Sequence, residues 1–362
     1  MRVIISSNLY FPLLGGTVTV ADRWARELAL QGHQVIILTK TPGEGVQTYG
    51  EWLGLESQLR DGTVTVCRFT GFLECRRLVK TADRVVIVEM SLKSMMVALA
   101  ALKWPLITHH THYNAHGAGR KPYRIVQYLM GLLAPSAACS EMIARGWGPH
   151  VGVIPNPYES EVFHDAKGLR DIDFLFVGRL VSDKGALLFV EALARIAPEF
   201  LRVAGHRLRF AIAGNGPEED EIRRRISAAD LDESTAFFGL CEPTELAVLY
   251  NRSRAVVVPS VWIEPFGLIA LEALACGCQV LCSDQAGLRE ASGNMGIYFE
   301  TASVDGIAQA MLRVMSQSSG DGEIDTARLK AHLDHHQVTN SVLCVFDASR
   351  RWKNSGNHDL TA

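Results

Sequence analysis

Two glutamates, Glu264 and Glu272, bracket the pair Phe266-Gly267 inside the segment Pro259–Gly277, and no other stretch of the chain has clearer chemical content. The β-branched run before it reads as a strand, and the apolar run from Gly267 to Ala275 reads as a helix, so Glu264 falls on the loop between them. A helix amino terminus offers unpaired amides and the positive end of the backbone dipole. The amides of Gly267 and Leu268 therefore suit a phosphate oxygen, and a glycine lets the ligand approach the backbone closely. Glu272 stands about one helical turn further on among Leu271, Ala273, Leu274 and Ala275, where a carboxylate needs strong donors. Two adjacent ribose hydroxyls would supply them; so would a surface arginine such as Arg289.

A second cationic element follows another β-branched run. In Gly178-Arg179-Leu180-Val181-Ser182-Asp183-Lys184-Gly185 a turn carries Arg179 and Lys184 ahead of a helix. Two cations at a strand's carboxyl end can stabilise a departing diphosphate as it gains charge, although two exposed basic residues are the plainer reading. Gly15 and Gly16 lie between the first strand and the first helix. They allow either close backbone approach to a ligand or a simple turn, and the spacing is not that of a dinucleotide fingerprint. In Thr108-His109-His110-Thr111-His112-Tyr113, His110 and His112 would project to one side of an extended segment. No neighbouring Asp, Glu or Cys completes a ligand set, so no metal is expected.

Position for position, Glu264, Phe266, Gly267 and Glu272 resemble the signature of glycosyltransferase family 4, in which two glutamates frame a Phe-Gly turn. The segment Gly178-Arg179-Leu180 with Lys184-Gly185 is similar to a second motif of that family, in the right order. Lesser matches are Cys139-Ser140-Glu141, Ile154-Pro155-Asn156 with Phe163 beyond, Ala213-Gly214-Asn215-Gly216-Pro217, and Gly287 to Glu290. The departures are Gln279 where the family has proline, and Pro157 where it has glycine after the asparagine. The resemblance runs from about Val3 to Met315.

It implies the GT-B architecture, an α/β fold of two Rossmann-like domains with parallel sheets facing across a cleft. It also implies transfer of a sugar from a nucleotide diphosphate sugar, UDP- or GDP-linked, with retention of configuration. The acceptor would be a glycan, a lipid-linked glycan or a small molecule, as in cell-envelope polysaccharide or lipopolysaccharide synthesis. By the same resemblance Glu264 contacts the donor sugar, the amides after Phe266 hold the diphosphate, and Glu272 binds the ribose. Arg179 and Lys184 stabilise the leaving group, which helps to deprotonate the acceptor in place of a metal or other cofactor. Gly15, Gly16, Gly214 and Asn215 belong with the donor-binding set. A histidine at the end of the strand before Thr111 touches the donor sugar, His110 or else His109.

The elements that must position these residues follow an alternating pattern of short β-branched runs and amphipathic stretches, which indicates parallel sheets covered by helices. Strands are expected over Val3–Ser6, Val35–Thr39, Val64–Arg68, Arg84–Val88 and Leu106–His109, then Asp173–Val177, Leu208–Ala213, Ala255–Val258 and Gln279–Cys282. Ala21, Trp24, Ala25 and Leu28 share a helical face that stops at Gly32. Further helices are expected near Gly185–Ala197 and Glu218–Ala229. The 362 residues suit two domains, placed at 1–160 and 168–335, with a helix at about 338–353, part of a helical run from Ala327, packing back on the first.

A net charge of −3 and the lack of a basic stripe interleaved with aromatics argue against a nucleic-acid partner. Eight scattered cysteines read as reduced thiols of a cytoplasmic protein, and no apolar run has the length of a membrane span. Local clusters at Arg76, Arg77 and Lys80, and at Arg120, Lys121 and Arg124, suit either peripheral contact with an anionic membrane or a solvated helix face. Two other readings share the fold, a nucleotide-sugar isomerase and a non-catalytic nucleotide-sugar binding protein. Oligomeric state leaves no mark on the sequence.

Overall fold

The computed structural model describes residues 1–13, 15–41, 46–48, 63–68, 71–111, 134–148, 150–316 and 325–355. His112 and the basic cluster at Arg120, Lys121 and Arg124 lie outside these residues. The chain divides into two compact units, Met1–Pro157 with His335–Ala362, and Tyr158–Asp334.

In the N-terminal unit, β1 (Arg2–Ser7), β2 (Gln34–Thr39), β4 (Thr63–Arg68), β5 (Arg84–Val88), β6 (Leu106–His109), β7 (Ser136–Ala138) and β8 (Gly152–Val153) form a parallel sheet. The short β3 (Val46–Thr48) joins its edge antiparallel, giving the order β3-β4-β2-β1-β5-β6-β7-β8. Val3, Ile4 and Ile5 of β1 are all buried, as a strand covered on both faces requires. The helix Gly16–Leu30 follows β1 and buries Val20, Ala21, Trp24, Ala25 and Leu28. It ends where Gly32 takes a positive φ of 80°.

The second unit contains β9 (Ile172–Val177), β10 (Phe210–Ala213), β11 (Thr235–Gly239), β12 (Ser253–Val258), β13 (Gln279–Ser283) and β14 (Ile297–Phe299). Every pairing is parallel, in the order β11-β10-β9-β12-β13-β14. Phe174, Phe176, Phe189, Phe200 and Phe210 are at most 2% exposed and anchor one side of its core. Helix Ala186–Ala204 packs there. The sequence suggests an end at Ala197, before Pro198, yet the helix runs six residues beyond Pro198 and stops at the left-handed Gly205. Pro198 forfeits one backbone bond, and burial of Phe200 offsets that loss.

The helical stretch expected from Ala327 to Lys353 forms, in two pieces. Two helices, Thr326–His335 and Val338–Ser355, are separated at His336 and Gln337. The buried His336 ring bonds through Nδ1 to Asn156 O at 2.8 Å, which ties the break to the Ile154–Pro157 connector. The second helix lies on the first helix of the N-terminal unit, where Trp24 Nε1 donates to Ser341 Oγ at 2.7 Å and Ser341 Oγ donates to Pro155 O. All eight cysteines are free. No helix of the described residues is long and apolar enough to cross a membrane.

Candidate functional site

Strands β10, β9, β12 and β13 are consecutive neighbours and all parallel, so the loops after them leave the same edge of the sheet side by side. Those loops carry residues of the four segments singled out above, Ala213–Pro217, Gly178–Gly185, Pro259–Gly277 and Gly287–Glu290. A parallel sheet thus gathers residues more than a hundred positions apart, and such strand ends are where ligands bind in open α/β sheets.

Missing side chains lock the loops together. A β-carbon on Gly214 would overlap Gly178 O, one on Gly216 would overlap Leu180 O, and one on Gly185 would overlap Pro259 O. Backbone bonds follow the same path, with Leu180 N donating to Asn215 O at 2.8 Å and Val261 N to Asp183 O at 2.9 Å. Gly287 sits against Glu264 O in the same manner. Close packing therefore accounts for Gly214 without a ligand. Asn215 contributes its carbonyl to the lock while its side chain is exposed.

At the centre, Lys184 Nζ meets Glu264 Oε1 at 2.5 Å, with side chains 21% and 14% exposed. Ser260 Oγ donates to the same oxygen at 2.7 Å. Gln285 completes the frame, accepting from Glu264 N at 2.8 Å and donating to Ser260 O at 2.8 Å. Ser260 and Gln285 were missed from sequence. Each is an uncharged polar residue two positions past a strand end, a place where side chains face a neighbouring loop. Arg179 behaves differently from Lys184: it is 68% exposed and its nearest acid is Asp183 at 3.9 Å. The two cations leave the same turn but do not share a partner.

Helix Leu268–Ala275 opens immediately beyond Glu264. Its N-cap, Gly267, has a φ of 108°, and no side chain caps the first amides. A β-carbon there would overlap Leu288. Phe266 is buried and fixes the approach to the helix, so what it can offer a ligand is the backbone beside it. Glu272 is 6% exposed on this helix. The surface partner considered for it is engaged elsewhere, since Arg289 forms a bidentate pair with Asp284 at 2.5 and 2.9 Å and lies over the Tyr298 ring.

In the N-terminal unit, β1, β5 and β6 are parallel neighbours, so Gly15-Gly16, Glu89 and His110 follow strand ends on one edge. A β-carbon on Gly15 or Gly16 would meet nothing within 4 Å, so the fold itself does not demand glycine at either position. His110 is buried and its Nε2 contacts Thr108 Oγ1 at 3.1 Å. Burial pushes its pKa down to about 4, against a smaller opposing effect of Asn156. His109 points into the interior, stacked on Trp147 at 3.8 Å, with its pKa driven to about 3 by burial and then by His110 and His150. Both rings are neutral at physiological pH. Glu89 was not anticipated: with a φ of 64° it accepts from His110 N at 2.9 Å and from Thr111 Oγ1 at 2.7 Å. A non-glycine residue held there indicates a constraint imposed by its surroundings. No group of three or more His, Cys, Asp or Glu side chains among the described residues is arranged to hold a metal.

Two family models match, one described as Glycosyltransferase Family 4 over residues 14–162 and one as Glycosyl transferases group 1 over residues 159–330. The chain belongs to the family 4, group 1 glycosyltransferases. Among this family's curated members it is 28% identical to a glycogen synthase of Mycobacterium tuberculosis over 67% of its own length. That alignment spans 61% of the glycogen synthase, less than two thirds of that protein. It is 26% identical to the alpha-monoglucosyldiacylglycerol synthase of Streptococcus pneumoniae, over 78% of this chain and 70% of that one. Among solved structures, HepE of Anabaena, crystallised with UDP and glucose, superposes with a TM-score of 0.74 over 97% of this chain and all of its own, at 15% identity. At that identity the likeness is one of fold, and the fold is GT-B, with two Rossmann-like units.

Proposed function

We propose that this family 4 member transfers a sugar from a nucleotide diphosphate sugar to a glycan, glycolipid or small-molecule acceptor, with retention of configuration, in the cytoplasm. The observation that carries the reading is the Lys184–Glu264 pair set directly before an uncapped helix terminus. In this reading the first-turn amides at Gly267 and Leu268 receive the diphosphate, and the ribose hydroxyls donate to the Glu272 carboxylate one turn further along. UDP in the HepE structure supports a nucleoside diphosphate leaving group, and the glucosyl product named for one relative supports a sugar as the group transferred.

The chemistry follows from charge. Cleaving the bond between sugar and diphosphate leaves negative charge on the β-phosphate, and Lys184 can follow that charge if it exchanges Glu264 for the leaving oxygen. Arg179, exposed and only loosely held by Asp183, adds a second cation to the same turn. Glu264, released from Lys184, retains Ser260 and faces the electron-poor sugar carbon. The leaving oxygen takes up the acceptor's hydroxyl proton as the new glycosidic bond forms, so no metal or resident cofactor is needed. His110 and the unobstructed Gly15-Gly16 backbone belong to the N-terminal unit, and their part in ligand contact is a matter for substitution.

The test is a panel of UDP-, GDP- and ADP-sugars incubated with the full chain, with and without cell-envelope acceptors. Acceptor-dependent release of nucleoside diphosphate, abolished in Glu264→Gln, is the expected result. Interconversion of the nucleotide sugar without acceptor would indicate an isomerase instead, and binding without turnover under every condition would reject transfer.

A further inference from the structure

Helices Phe72–Lys80 and Leu92–Ala100 lie beside each other on the sheet of the N-terminal unit. Their inner residues Val79, Val97 and Ala98 enter one core cluster with Ile4, Leu38 and Val85. Arg76 Nε donates to Ala100 O at 2.7 Å and ties the two helices together. Their outer faces are unlike an ordinary solvated surface. Leu73, Arg77 and Lys80 recur at helical spacing on the first, and Leu92, Met96 and Leu99 on the second. Leu73, Met96 and Leu102 are 66%, 55% and 90% exposed, and Trp104 is half exposed.

Single exposed apolar residues are normal, but seven large ones fall within positions 72–104, each in water at a cost to solubility unless something covers them. The charges on the two helices are mostly positive. Arg77, Lys80 and Lys93 pair with no acid among the described residues, and Glu74 is the single acidic residue on either helix. Lys93 also lines a cavity of about 150 Å³ beneath the helices, walled by Val79, Val85 and Val97 and shared with Lys40.

Apolar and aromatic side chains ringed by unpaired cations match an anionic lipid interface: the apolar groups enter the acyl boundary while the cations meet phosphates. A protein partner would need acidic groups around an apolar centre; a bilayer presents that combination over any area. We propose that the outer face of helices Phe72–Lys80 and Leu92–Ala100, with Leu102 and Trp104, docks the chain on an anionic phospholipid bilayer. The test of this surface uses no donor, so it can fail while the transferase reading survives.

The full chain is sedimented with vesicles of phosphatidylcholine alone and with vesicles containing one third phosphatidylglycerol. Binding is expected to the second, weakening as salt is raised. The triple variant Arg77→Glu, Lys80→Glu, Lys93→Glu should bind at least about tenfold less, because each cation near such a surface contributes roughly a fivefold factor. The pair Leu73→Ser, Met96→Ser should lower binding further while thermal unfolding stays unchanged, which separates lost docking from lost folding. Three results would overturn the proposal. The chain stays in the supernatant with anionic vesicles, or it pellets equally with neutral ones in every variant, or it forms a concentration-dependent dimer that the serine pair dissolves, making a second copy the true occupant.

Discussion

Gly185 and Pro259 touch so closely that no side chain fits between them, although 74 positions separate them in the sequence. Gly185 also holds a φ of 74°, so an L-residue there is strained even before it collides with the Pro259 carbonyl. Gly185→Ala should therefore lower stability by about 1–3 kcal/mol and move the turn carrying Lys184 away from the Glu264 loop. Chemical denaturation and nucleotide binding measured on one sample check both halves. A variant of normal stability and affinity would show that the two loops need not interlock.

Lys184 is the cation most directly engaged at the site. Lys184→Met keeps the aliphatic stem and removes the charge, leaving Glu264 without its ion pair. Turnover of the preferred nucleotide sugar is expected to fall by about 10²–10³-fold, the usual effect of deleting a group that stabilises developing charge. Arg179→Met, at an exposed position, should cost less. Equal losses at the two positions would mean that Arg179 moves into the site when donor binds.

The paired histidines make stability depend on pH with a definite sign. His109 and His110 have folded pKa values near 3 and 4, below the ordinary 6.5, so the folded chain refuses protons that the unfolded chain accepts. Above pH 6.5 neither form is protonated and stability is unaffected. As pH falls from 6.5 towards 4, stability should decline, by up to ~3 kcal/mol for each ring. Urea unfolding of His110→Gln from pH 7.5 to 4.5 should show a shallower decline than the parent chain, and parallel curves would contradict the burial argument.

Ser341 serves two partners at once, accepting from Trp24 and donating to Pro155 O. Because the site is fully buried, Ser341→Ala strands both groups and should cost about 2–6 kcal/mol, twice the penalty for one unsatisfied polar group. Calorimetry of the variant gives the answer, and Trp24→Phe should recover part of the loss by removing one stranded donor.

Much of this arrangement was legible in the residues. Strand positions such as Val35–Leu38 and Ala255–Val258 carry uninterrupted apolar runs, which is how a strand covered on both faces reads. The Glu264–Glu272 spacing survived folding as a strand, a loop and a helix opening at Gly267. What stayed hidden depends on tertiary packing. Helix Ala186–Ala204 crosses Pro198 because Phe200 gains a core, and local propensity holds no record of that gain. Helix Val338–Ser355 is cut from its predecessor by His336, whose partner Asn156 lies 180 residues earlier. Glu89 took a left-handed backbone with no glycine or asparagine to announce it. The contrast between Lys184, engaged, and Arg179, exposed, belongs to side-chain geometry that spacing does not encode.

The helix Val338–Ser355 also sets an order of events at the ribosome. Residues 158–334 emerge as one contiguous block and can condense as soon as they are free, whereas the unit begun at Met1 must wait for its final helix before Trp24 finds Ser341. Until Val338–Ser355 is synthesised, the first unit is an unfinished body with an open seam. The helix that seals it is made only after the whole second unit has been synthesised.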